Sequence, residues 1–184
     1  MPVRGAVHFL AEKLLAMCRA LTTILLIVFA QAACAQDWQT PLIADYGQVV
    51  DVPDAALAPA PDRAHRIAFD LASADTRDGV NRGLWYLARL RNLLHLSGVP
   101  ADSVVIVGVI HGGATPLADA AAVSPADLAL MRTLAQNGVR FHVCAQSAAS
   151  AGIALPNDLP DVVTPAPSAM TTFLTLGQQG YQRL

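Results

Sequence analysis

The sequence predicts an α/β fold, a three-layer α/β/α sandwich built on a mainly parallel sheet. Strand-like and helix-like segments alternate along the chain from about Arg66. One strand candidate, "SVVIVGVI" at Ser103 to Ile110, is an almost unbroken apolar run, the pattern of a strand covered on both faces. Right-handed crossovers between such strands place helices on both sides of a parallel sheet.

The elements follow in order. "RIAFDL", Arg66 to Leu71, is a short strand ending at polar residues. From about Asp78 to Ser97 the apolar positions Val80, Leu84, Leu87, Leu90 and Leu94 recur at helical spacing, and Gly98 with Pro100 supplies the stop. The strand at Ser103 to Ile110 and a loop come next. "SPADLALMRTLAQNG" then carries its own helix punctuation: Ser124 as N-cap, Pro125 in the first turn with Asp127, and Gly138 beyond the end. "VRFHVC", Val139 to Cys144, is the third strand, followed by a short helix over about Gln146 to Ala151. A brief strand at Val162 and Val163 and a last helix from Ser168 to about Gln179 complete the pattern.

Ahead of this body the chain divides into two further segments. Residues 1–35 read as a signal peptide: Arg4, Lys13 and Arg19 precede the apolar run "LTTILLIVFA", and "AACA" suits cleavage near Ala35. The run is too short to span a bilayer, so stable membrane insertion after cleavage is not expected, and the mature protein is assigned to the periplasm or the exterior. Met17 offers an alternative start, and Cys34 leaves a lipoprotein as a minor reading because Gln31 does not suit a lipobox. Residues 36–64, with Pro53, Pro59 and Pro61, read as an extended N-terminal arm leading into a domain over 65–184.

Composition excludes several functions. The whole chain carries a net charge of −2, and the leader removes three cations but one acid, so the mature part is more acidic and has no basic patch for nucleic acid. No lysine follows Lys13, which excludes Schiff-base chemistry and a Walker-type lysine. No cofactor motif and no established metal-ligand spacing is present. Cys18 and Cys34 leave with the leader, so Cys144 has no partner for a disulfide within its own mature chain.

In a parallel sheet, ligands bind outside the carboxyl ends of the strands. Two motifs lie there: "HGGATP", His111 to Pro116, after the second strand, and "CAQS", Cys144 to Ser147, after the third. A helix opening at Gln146 and Ser147 would stabilise a Cys144 thiolate, and His142, two residues earlier on the same strand face, would add an imidazolium. Gly112 and Gly113 permit positive φ or close approach to a ligand, with His111 as an acid/base group or thiolate partner. The opposing readings are a packed cysteine and a tight turn bearing an ordinary histidine.

"IAFDL", "VNRGLWYLARLRNLL", "GVPADSVVIVGVIHGGATP", "NGVRFHVCAQS" and "LPDVVTPAPSAMTTFLTLGQQGY" occur in this order, preceded by "YGQVVDVPDAA". In them the chain resembles the exported single-domain branch of the DsrE/DsrF-like family. The resemblance implies a parallel α/β sandwich that forms homo-oligomers and, in sulfur-trafficking members, a cysteine that accepts sulfur as a persulfide. Cys144 stands at that position, and His111 matches the histidine of the family's HG-x-A-T segment.

Three functions follow as expectations. In the first, Cys144 takes up and relays sulfane sulfur between a donor and an acceptor protein, a sulfur-carrier or transferase-like activity at most, with His111, Gly112, Gly113, Gln146 and Ser147 lining the site and His142 tuning the thiol. The second is a non-catalytic module for a small anionic ligand. In the third, an oligomeric scaffold, Cys144 is packed or joins subunits.

Overall fold

The computed structural model describes residues 36–184, and the proposed leader lies outside them. Five strands form one sheet in the order β6-β5-β4-β1-β7. They are β1 (His65–Leu71), β4 (Val104–Ile110), β5 (Val139–Cys144), β6 (Val163–Ala166) and β7 (Gln182–Arg183). Every pairing in this sheet is parallel. Four helices flank it: α1 (Arg82–Leu96), α2 (Pro125–Gln136), α3 (Ala145–Ser150) and α4 (Ala169–Gln178). Among the described residues no helix is long and apolar enough to cross a membrane.

The period of two along each strand sorts the core into two layers. Ile67, Leu71, Ile106, Ile110, Phe141 and Val143 face α1 and α2 and join their buried residues, Leu84, Leu87, Met131 and Leu134 among them. Ala68, Val107, Val109 and Cys144 face the other way and pack against Ala169 and Leu176 of α4. Gly108 sits in the middle of β4 because a Cβ there would come within 3.0 Å of the Phe141 ring. The three-layer sandwich predicted from the alternation is thus the observed architecture.

Several ends coincide with their sequence punctuation. Ser124 accepts from the Asp127 N–H at 3.0 Å, and Ser168 accepts from the Thr171 N–H at 3.1 Å. The start of α1 differs from the expectation at Asp78. Asp78 and Gly79 both take positive φ, 51° and 81°, and make the two-residue turn of a hairpin between β2 (Thr76–Arg77) and β3 (Val80–Asn81). Asn81 then caps α1 by accepting from the Gly83 N–H at 2.9 Å. The segment read as a loop after β4 contains a 3-10 helix, Gly112–Ala118, and β7 was not expected.

The proline-containing lead-in is moored to α1 chiefly at Asn92, with Arg89 donating to the Gln48 carbonyl at 2.9 Å beside it. Asn92, fully buried, accepts from the N–H groups of Leu42 and Ile43 at 3.0 and 2.7 Å. Its amide donates to the carbonyls of Tyr46 and Gly47 at 3.0 and 3.1 Å. Ile43 is thereby seated in the core, and Gly47, at φ 65°, passes so close to α1 that a Cβ would lie 2.1 Å from the Arg89 nitrogen. Residues from Trp38 onward therefore form one compact unit with the rest of the domain.

Asn92→Leu keeps approximate volume but strands these backbone groups. A loss of about 2–4 kcal/mol in urea unfolding is expected. A change within about 0.5 kcal/mol would mean that the mooring contributes little.

Candidate functional site

Parallel register brings three polar side chains to one edge of the sheet. Asp70 pairs with Val109 and Leu71 with Ile110, while Ile110 pairs with Val143. His111 and Cys144 each follow directly, so they end neighbouring strands, and Asp70 lies near the end of β1. All three share the parity of Ala68, Val107 and Val109, the α4 face.

Cys144 is 5 % exposed. Burial pushes its thiol pKa up, but the Ser147 hydroxyl and the N–H groups of Ser147, Ala169 and Gln146 favour the anion, and the balance holds the pKa below that of a free thiol. These donors come from two directions. Gln146 and Ser147 belong to the first turn of α3, whereas Ala169 opens α4 on the opposite side of the strand end. Gln146 also links the two, its amide donating to the Pro167 carbonyl at 3.2 Å.

His111 contacts Asp70, with Nε2 2.7 Å from Oδ1. An ionised carboxylate only accepts, so Nε2 carries the proton and Nδ1 holds the lone pair when the ring is neutral. The second oxygen of Asp70 accepts from Arg183 of β7. Burial raises the Asp70 pKa, yet the hydrogen bonds from Arg183 and His111 outweigh it and hold the carboxyl below its usual range. The Arg183 guanidinium lies 3.9 Å from the centroid of Phe173, and the His111 ring meets the same phenyl edge-on at 6.3 Å.

The candidate residues separate into neighbouring compartments. Gly112, Gly113, Gln146 and Ser147 line one shallow groove together. His111 lines a second with Ala169 and Arg183. His142 faces a third, beside Thr172 and Leu176 of α4, and its Nδ1 is 2.7 Å from the Thr164 hydroxyl. The surroundings of His142 disfavour the imidazolium expected there. Burial and the nearby Arg140 lower its pKa, against a smaller opposing contribution from Thr164, so the ring is neutral. The glycines also pass close to another part of the chain. Gly112 takes positive φ, 54°, and both approach the chain leaving β1: Cβ atoms at Gly112 and Gly113 would lie 3.2 Å from the Ala72 carbonyl and 2.9 Å from the Ala74 nitrogen.

Asp70 and Arg183 were not identified from the sequence. An aspartate next to last in an apolar strand was the available signal for Asp70, because such strands are depleted in it. Among the described residues no group of three or more His, Cys, Asp or Glu could hold a metal ion.

Residues 56–184 match the DsrE/DsrF-like family. A solved structure of MTH1491 from Methanobacterium thermoautotrophicum, itself described as a protein of unknown function, superposes with a TM-score of 0.52. It is 22% identical and the match covers 65% of this chain and 97% of that one, a likeness of fold. No curated protein matches the sequence.

The donors around Cys144 set an expected pH dependence. Alkylation by a small reagent should rise with pH through a midpoint below the roughly 8.5 of a free thiol. Ser147→Ala should move that midpoint upward. Because the folded state favours the anion, its contribution to stability is complete above the unfolded thiol's pKa and is lost as pH falls through the folded one. A wild-type midpoint at or above the free value would contradict the arrangement.

Proposed function

The chain belongs to the DsrE/DsrF-like family, and from that premise we propose that it is a sulfur carrier in which Cys144 holds sulfane sulfur as a persulfide. The observation that carries this reading is the position of Cys144 at the end of β5 directly before α3, where the N–H groups of Gln146 and Ser147 and that of Ala169 favour its anion. Such donors stabilise a thiolate before reaction and an anionic persulfide after it. Cys144 as thiolate attacks the outer sulfur of a donor R–S–SH, the donor's S–S bond breaks, and R–S⁻ leaves. The product is Cys144–S–SH; charge and atoms balance, and no oxidant or reductant is consumed. An acceptor thiolate removes the sulfur by the same step in reverse.

Export by residues 1–35, a homo-oligomeric state and exchange with donor or acceptor proteins belong to the same proposal. They fit the free Cys144 among the described residues. The burial of Cys144 among Ala68, Val107, Val109 and Leu176 favours a second reading, in which it is a packing residue of a scaffold or ligand-binding module.

Intact mass spectrometry after exposure of reduced protein to polysulfide separates the two. The carrier reading expects a gain of sulfur that maps to Cys144, is reversed by a thiol and is absent from Cys144→Ala. No gain, with Cys144 also silent to alkylation in the native state, would leave the packing reading.

A further inference from the structure

The cavity lined by His111, Ala169, Met170, Phe173, Leu174 and Arg183 has a volume of about 500 Å³. Cys144 does not line it but packs in one cluster with Ala169 and Phe173, which do. His111, which follows the strand beside that of Cys144, is another lining residue. Its chemistry is mixed in a specific way. Phe173, Met170 and Leu174 supply an apolar wall, with Met170 82% and Leu174 63% exposed at the mouth. One cation faces it: Arg183, whose side chain is 58% exposed, lies over the Phe173 ring at 3.9 Å and is tied by a single nitrogen to Asp70.

We propose that this cavity binds the body of the sulfur donor, and that the donor is a small organic persulfide carrying one carboxylate. The assignment rests on the carrier reading above. Asp70 compensates part of the Arg183 charge and is itself occupied by His111, so the cavity presents one oriented cation and no free acid. That suits a monoanion better than a polyanion. The guanidinium keeps donors beyond the one used by Asp70, and a carboxylate matches their planar geometry. An inorganic polysulfide would gain nothing from Phe173, Met170 and Leu174, whereas an alkyl chain loses water-exposed surface against them. With the carboxylate on Arg183, the chain runs along Phe173 and the outer sulfur is directed toward Ala169 and Cys144. The transfer is the balanced exchange already given, with R–S⁻ released back through the open mouth.

Rates of sulfur gain on Cys144 should be compared for mercaptohexanoate persulfide and for its uncharged amide, mercaptohexanamide persulfide, by quenched intact mass spectrometry. Wild-type protein is expected to load about tenfold faster from the carboxylate. Arg183→Gln should erase that preference by slowing the carboxylate alone, and Arg183→Lys should restore part of it. A purely structural role for Arg183 would slow both donors together and would overturn the assignment. Equal wild-type rates for the two donors would also overturn it, while leaving Cys144 as a carrier. No sulfur on Cys144 from either persulfide or from polysulfide would remove the carrier reading and this proposal with it.

Discussion

A parallel sheet delivers the carboxyl ends of all its strands to one edge, and the other features of the site depend on that constraint. Asp70, His111 and Cys144 are far apart in sequence, but their strands are adjacent in the order β1, β4, β5. The parity of two then decides the side of the sheet. A one-residue slip of any strand would send its polar residue into the opposite layer, among the large apolar side chains beneath α1 and α2. The tight core on that side, where Phe141 packs against Gly108, therefore also fixes the face on which the thiol emerges.

The electrostatics of the edge follow from shared partners. One carboxylate serves two donors, so Asp70 sets the tautomer of His111 and the direction of Arg183 together. Phe173 meets both the His111 imidazole and the Arg183 guanidinium from the apolar side. Cys144 is stabilised separately, by backbone and hydroxyl donors, without a neighbouring full charge. In the proposed carrier, thiol activation and ligand charge recognition thus fall to different groups, and a change in one need not alter the other.

Local signals were legible in the sequence and long-range ones were not. The strand Val139–Cys144, the cap at Ser124 and the helix start at Ser168 match their expected positions because alternation, proline and hydroxyl capping act within a few residues. The Asp78-Gly79 pair was an equally local hairpin signal, but the helical period running through Val80 obscured it. The shared face of His142 and Cys144 could be read from parity. The neutral state of His142 could not, since it depends on burial beneath α4 and on Arg140. Likewise, the sequence marks Gly112 and Gly113 as places of close approach without saying what approaches; the neighbour is the exit of β1.

Arg183 is separated from Asp70 by 113 positions. Every other strand and helix of the domain precedes β7 in the order of synthesis. A nascent chain can therefore build the central strands and present the cysteine before the guanidinium is available. Until β7 pairs with β1, Asp70 has only His111 as a partner and the cavity has no arginine. In the proposed carrier the site thus acquires its selectivity after its nucleophile, and docking of β7 is the step that adds discrimination to the thiol.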